Sequence, residues 1–358
     1  MTDQTLGQRD DRTPAGDAAP KSEQAADAGF DFAYWWDRVG ILVVLVVLTA
    51  LMAAIAPNFA TADNLLNVAR SISINAILAA GITFVILTAG IDLSVGSTVA
   101  VAGVVAVLAA TSGAPSPVAV VVGVLVGAVA GLINGLLTAY LSLAAFIVTL
   151  GAMTYLRGLG YTMTGGQPIV SNTLNFRDVG NGYMAGIPVP VVIMGVVYLV
   201  AWFVLERTRY GKHIYAVGGN AEAARLAGID VRRVITSVYA IAGACAGLAG
   251  VIFAARVVSA QPTAGTGYEL DAIAAAVLGG TSLMGGRGRI LGTLIGSVIL
   301  GVLSTGLILM DVPFFTQLLV KGVVIILAVA IDSLKRRPVR LRRRRIPAAA
   351  TAHDRPES

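Results

Sequence analysis

The chain has 358 residues, 56% of them hydrophobic and 13% charged, with a formal net charge of +6. A soluble domain carries about 45–50% apolar and about 25% charged residues, so this balance excludes a water-soluble globular chain. Two distant histidines, His213 and His353, and a single cysteine, Cys245, leave no intrachain disulfide and no metal-ligand spacing; Cys245 reads as a small core residue inside an apolar run.

Residues 1–38 are polar and rich in Asp, Ala and Gln. They have too little apolar surface to offset chain entropy and are expected to form a disordered tail. Beyond them the apolar residues come in runs separated by short polar breaks, and a bilayer core about 30 Å thick takes about 20 helical residues to cross. The expected spans are 39–56, 72–89, 95–111, 117–140, 145–163, 189–205, 234–257, 270–283, 290–309 and 314–331. The fold expected is therefore an all-α integral membrane protein with about ten transmembrane helices over residues 39–332. The alternating polarity of a β-barrel is absent. The first run begins late and further runs follow it, so it reads as an uncleaved span and not a signal peptide. The eighth is short for a full crossing and reads as tilted, broken or partly re-entrant. The 41 glycines suit helices that attract one another through close backbone approach.

Two polar loops interrupt the spans, 165–188 and 206–233. The second contains Arg207, Arg209, Lys212, Arg225, Arg232 and Arg233. Lysine and arginine bias places it on the cytoplasmic side together with Arg38, Arg287, Arg289 and the basic cluster 335–345. The opposite side keeps chiefly Arg70, Arg177 and Arg256, and segments 165–188 and 258–269 then lie outside. The C-terminal stretch 333–358 reads as a basic cytoplasmic tail that sets topology; no second feature supports nucleic acid as a partner.

Enzymatic motifs are missing. No Gly-x4-Gly-Lys-[Ser/Thr] occurs, so no phosphate loop for ATP is present. Gly286-x-Gly288-x3-Gly292 joins two spans and follows no strand, which makes turn glycines of it. No Ser/His/Asp set or carboxylate pair stands out, and no catalytic residue, metal or cofactor is assigned. A faint internal repeat pairs Gly90-Ile-Asp-Leu-Ser-Val-Gly96 with Gly280-Thr-Ser-Leu-Met-Gly-Gly286. Charges at membrane depth carry two readings each, path or gate against structural ion pair or snorkelling: Lys321, Arg157, Glu269, Asp271 and Asp92, whose Asp-Leu-Ser run also fits a cap on the third span.

The cytoplasmic loop holds Gly219-Asn-Ala-Glu-Ala-Ala-Arg-Leu-Ala-Gly228. The stretch from Glu222 to Gly228 favours a short helix that Gly219 or Asn220 starts and Gly228 ends, and the small Ala223 and Ala224 let a partner approach. Alone this is an ordinary loop helix. However, Glu-Ala-Ala-x3-Gly in such a loop resembles the coupling motif of ATP-binding cassette (ABC) importer permeases, although no Ile-x-Leu-Pro follows Gly228. Six further stretches resemble the ribose-type, branched-chain-like sugar permease family: Gly90–Ser97, Asn134-Gly-Leu136, Phe146–Gly151, Gly267–Ala275 running into Leu278–Gly286, Gln317–Gly322 and Ala328–Asp332. Ala144-Ala145 before Phe146 departs from the proline usual there.

The resemblance implies a transporter subunit and not an enzyme: the permease of an ABC importer in the bacterial inner membrane, carrying ribose or a similar monosaccharide. It implies an ABC ATPase subunit that uses the ATP, a periplasmic sugar-binding protein and a second permease chain, expected as a homodimer. Gly219, Asn220, Glu222, Ala223, Ala224 and Gly228 become the ATPase-coupling candidates. A neutral sugar needs hydroxyl-matching polar groups and an aromatic wall, for which Asn134, Phe146, Thr149 and Gln261 are the path candidates. The competing class is an ion-gradient-driven secondary transporter or a channel, which needs polar ion sites near the midplane.

Overall fold

The computed structural model describes residues 32–335, and of residues 32–39 and 328–335 only the backbone. The expectations for the tail before residue 32, the Arg38 side chain and the basic C-terminal stretch lie outside the described residues. In chain order come α1 (Phe32–Ile55), α2 (Ala62–Leu87), α3 (Val95–Thr111), α4 (Ser116–Tyr140) and α5 (Ala145–Thr164). A surface segment follows with β1 (Ile169–Val170), the short α6 (Asp178–Asn181), β2 (Tyr183–Met184) and β3 (Ile187–Pro188). Then come α7 (Val189–Arg207), α8 (Arg209–Gly219), α9 (Ala221–Leu226), α10 (Val231–Val257), β4 (Ser259–Ala260), α11 (Tyr268–Leu278), α12 (Ile290–Leu309) and α13 (Phe314–Lys335).

The protein is a mostly helical, multi-pass membrane chain. Helices α2, α4, α7, α10 and α12 are long and apolar enough to cross a membrane, and Gly40–Ile55, Val95–Thr111 and Phe314–Leu327 are shorter apolar stretches. Helices spanning a bilayer satisfy their own backbone groups, which is why nearly all of the apolar sequence takes this form. The strands are two-residue pairs: Ile169 opposes Ala260, and Tyr183 opposes Pro188 in the β2–β3 hairpin. They gather the 165–188 and 258–267 loops at one end of the bundle, called here the hairpin face. Helices α8 and α9 mark the opposite end.

Each of the ten expected spans contains a helix, with differences that have physical causes. Helix α2 starts at Ala62 and not at 72, because Thr61 Oγ1 accepts from the Asn64 amide at 3.4 Å and Asp63 occupies the first turn, favourable at a helix N-terminus. The polar residues Asp63, Asn64, Asn67 and Arg70 hide that start from a hydropathy reading. Helix α11 stops at Leu278 after 11 residues, about 16 Å of helix, so the eighth expected span is too short to cross a bilayer core by itself.

Helix α10 is the axis around which α2, α3 and α4 pack. Gly123, Gly127, Gly131 and Gly135 recur every fourth residue along α4 and so share one face. A Cβ at Gly127 would lie 2.7 Å from the Gly247 amide nitrogen, one at Gly131 3.0 Å from Gly243 Cα, and one at Gly247 2.9 Å from Val124 Cα. The two backbones are in direct contact, the geometry that small residues allow within a membrane. Cys245 is unpaired on this helix. Substituting Gly131→Val forces α4 off α10 and is expected to cost at least about 1–3 kcal/mol, read as a lowered melting temperature of the detergent-solubilised protein.

Candidate functional site

The chain breaks its helices at two places that meet. Helix α2 ends with Ala89 in the left-handed region (φ 61°), where Ala89 N donates to Ile86 O at 2.9 Å and Gly90 N to Val85 O at 3.0 Å. From there residues 88–94 turn back into the bundle before α3 starts. The return is deep: Tyr239, eight residues into α10, donates its hydroxyl to Ile91 O at 3.2 Å, and a Cβ at Gly96 would collide with Glu269 Oε2 of the first turn of α11 and with Gly265 O of the hairpin-face loop. The second break is 279–289, between α11 and α12. Gly286 N donates to Leu87 O at 2.9 Å and joins the two breaks. These are the two stretches whose sequences resemble one another, and here they lie backbone to backbone.

Non-helical backbone at membrane depth must find partners inside the protein. Asp92 is 1% exposed; its Oδ1 accepts from the Ser94 amide at 2.8 Å and the Ser94 hydroxyl at 2.6 Å. Asn134 Nδ2 donates to Ser94 Oγ at 2.9 Å, and Thr149 Oγ1 donates to Ile91 O at 3.2 Å and Ala145 O at 2.9 Å. Two of the four path candidates, Asn134 and Thr149, therefore converge on one turn, fully buried, with their hydrogen bonds committed to it. Phe146 is 51% exposed on α5. Gln261 is half-buried in the loop before α11, where its carbonyl accepts from Ala264 N at 3.1 Å. Arg157 donates from Nη1 to Pro262 O at 2.8 Å and Ala264 O at 2.7 Å, which ties α5 to that loop. Lys321 Nζ lies 3.0 Å from Asp271 Oδ2 and pins α13 to α11.

At the opposite end, Asn220 caps α9 as expected: its Oδ1 accepts from the Ala223 amide at 2.9 Å. Gly228 (φ 85°) ends the helix, with Gly228 N donating to Arg225 O and Ile229 N to Ala224 O, each at 3.0 Å. This paired closure favours glycine because an L side chain strains the left-handed backbone. Ala224 alone on α9 is buried; Glu222 and Ala223 face outward. Glu222 Oε1 accepts from Arg225 Nη2 at 2.6 Å, and that hydrogen bond, with the carboxylate charge, holds the exposed guanidinium above its ordinary pKa. Leu226 is 79% exposed, and Met284, in the second break, 82%.

Helix α8 links α9 to the breaks. Its amphipathic pattern buries Ile214 and Val217 and presents Lys212 and His213 outward. Three glycines in its eleven residues disguise it as loop in the sequence. Tyr210 shares a 2.6 Å hydrogen bond with Ser237, and Tyr215 donates to Gly288 O at 2.9 Å. Burial raises both phenols; Glu206 adds to the rise at Tyr215 and Arg289 opposes it. Both stay neutral donors at physiological pH. At the end of α8, a Cβ on Gly218 would fall onto the Leu87 carbonyl and lie 2.6 Å from the Gly286 amide nitrogen. Gly218 thus touches both breaks at the hydrogen bond that joins them. Sequence reasoning missed Gly218, Leu226 and Met284. The adjacent Gly218-Gly219 pair and a leucine on the polar side of a loop helix were the available signals.

Comparison with known proteins is consistent over most of the chain. Residues 64–329 match the family described as branched-chain amino acid transport system / permease component. The ribose import permease protein RbsC of Escherichia coli (strain K12) is 50% identical over 305 residues, covering 84% of this chain and 95% of that protein. RbsC of Bacillus subtilis (strain 168) is 47% identical over 300 residues, 83% and 93% of the two chains. The D-allose transport system permease protein AlsC of Escherichia coli (strain K12) is 40% identical over 316 residues, 88% and 97%. No solved structure matches the chain.

Two substitutions probe the α8–α9 end. Gly218→Val is expected to unseat α8, seen as fast amide exchange across residues 209–219 and a lower melting temperature. Asn220→Ala removes the cap at a cost of about 1 kcal/mol, and its effect is confined to exchange of the α9 amides.

Proposed function

The chain belongs to the branched-chain amino acid transport system / permease component family, and on that premise we propose that it is the membrane permease of an ABC importer that carries ribose or a similar monosaccharide. The observation that carries this reading is the continuous identity of about 50% to a ribose import permease across 84% of the chain. The related allose permease supports monosaccharides as the substrate class.

In this reading a separate ATPase subunit binds and hydrolyses the ATP, and a periplasmic binding protein delivers the sugar at the hairpin face. Two copies of the permease enclose the path in the bacterial inner membrane, with about ten spans each and both termini cytoplasmic. Helix α9, with Gly219, Asn220, Glu222, Ala223, Ala224 and Gly228, is the coupling helix. Its exposed Leu226, beside an ion pair, is the kind of apolar anchor that fills a pocket on a partner. Coupling between distant sites requires a rigid element that both sites bias. Helix α8 suits that role: it continues into α9 at Asn220 and abuts Leu87 and Gly286 through Gly218. A shift of α9 on its ATPase then moves both helix breaks together. Phe146 and Gln261 retain the role of path candidates, whereas Asn134 and Thr149 act on the path through the turn they hold.

Leu226→Asp is the direct test. The side chain is exposed, so the fold and the melting temperature should hold while association with the ATPase subunit weakens by roughly tenfold or more, about 1.4 kcal/mol or above. Binding-protein-dependent ribose uptake falls with it. Undiminished association together with undiminished uptake would refute the coupling role.

A further inference from the structure

Helix α2 carries a polar ladder in its hairpin-face half. Asp63, Asn67, Ser71 and Asn75 recur every fourth residue and so share one face. The ladder runs about 18 Å along the helix, from its first turn inward. Asp63, Asn67 and Ser71 are exposed, and the buried Asn75 Oδ1 has no hydrogen-bond partner. Where a membrane-spanning helix carries polar groups, they face a bundle interior or a water-filled cavity, because lipid offers them nothing.

The ladder leads to a cavity of about 170 Å³ enclosed by α2, α11, α12 and α13. A single ordered water needs about 10–15 Å³, so the space admits a small organic solute. Ser71 and Asn75 form one wall, and Ser297, Ser304 and Thr305 of α12 face them. The Asp271–Lys321 ion pair closes a third side, with Tyr268 as a flat aromatic neighbour. The two charges cancel, which disfavours ionic solutes. The remaining groups supply donors and acceptors: an amide oxygen awaiting a donor, the Ser297 and Ser304 oxygens, whose protons go to Thr293 O and Leu300 O, an ammonium with two further protons and a carboxylate with a second oxygen. That balance matches a neutral molecule whose hydroxyls do the same.

We infer that this track, from Asp63 to the cavity at Asn75, Ser304 and the Asp271–Lys321 pair, lines the solute path that the two permease copies enclose, each copy contributing one site for a neutral polyhydroxylated solute. The inference rests on the importer reading and adds to it the residues that meet the cargo. Asn75 Oδ1 and the ion pair then recognise hydroxyls while Tyr268 packs on the solute's apolar face.

The test uses the whole importer in membrane vesicles, with Cys245→Ala as background and single cysteines placed by Ser71→Cys, Asn75→Cys and Ser304→Cys. A negatively charged, membrane-impermeant methanethiosulfonate reagent is added at the hairpin face, and Leu125→Cys, on the exposed apolar side of α4, serves as the lipid-facing control. The three track cysteines should react much faster than the control, and ribose with its binding protein should slow them. Asn75→Leu should reduce ribose uptake by roughly tenfold, the factor that one substrate hydrogen bond supplies, without reducing ATPase association. Labelling as slow as the control would overturn the inference in favour of a lipid face or a closed subunit interface. So would rapid labelling that ribose leaves unchanged, joined to normal uptake by Asn75→Leu. If the parent importer moves no sugar at all, the importer reading fails; the labelling alone then decides, fast reaction keeping the track as a hydrophilic path and slow reaction removing it.

Discussion

The hydrogen bond from Gly286 N to Leu87 O, 2.9 Å long, is the contact that joins the two helix breaks of this protein. It ties the last residue of α2 to the backbone of the 279–289 break, and non-helical backbone packed into the bundle must find its partners within the protein. Everything near it serves the same requirement. Tyr239 and Thr149 donate to Ile91 O, Ser94 is held between Asp92 and Asn134, and Tyr215 reaches Gly288 O. Each helix that surrounds the breaks supplies a donor or acceptor, so none of them moves without changing how the breaks are held.

Glycine makes this arrangement dense enough to act as a unit. The four-residue ladder on α4 brings its backbone against α10, and α10 in turn holds Tyr239 under the first break. Gly218 has the same role at the α8 end: the lack of a Cβ lets one helix terminus touch both breaks at once. The spacing between the α9 surface, where an ATPase subunit would dock, and the re-entrant backbone is therefore bridged by short, rigid contacts and not by flexible loop.

Polar side chains at membrane depth divide into two groups by their partners. Asp92, Asn134 and Thr149 are packed around Ser94 and Ile91 and hold that turn, although Asp92 Oδ2 is without a hydrogen-bond partner. Asn75, Ser71 and the Asp271–Lys321 pair border an open space, and one of their acceptors has no partner. Residue type alone does not separate these groups; what separates them is whether the side chain ends on backbone or on a cavity.

Much of the fold was legible in the sequence because the bilayer imposes it. Runs of about 20 apolar residues can only be helices there, the α9 cap and stop follow from Asn220 and Gly228, and the short eighth span announced a broken crossing. The family motifs, each modest, became specific by their order along the chain. Tertiary structure alone decided the rest. The start of α2 was hidden by polar residues that find local partners, Asn64 at Phe59 O and Arg70 at Asn67 and the Tyr183 ring, and α8 was hidden by glycines that its tight seat requires. The meeting of the two breaks joins residues about two hundred positions apart, and no local pattern encodes which carbonyl an amide at that distance will find. Sequence determined which segments enter the membrane, because transfer of a segment from water depends on its own composition. Packing determined which of their polar groups hold the protein together and which border a cavity.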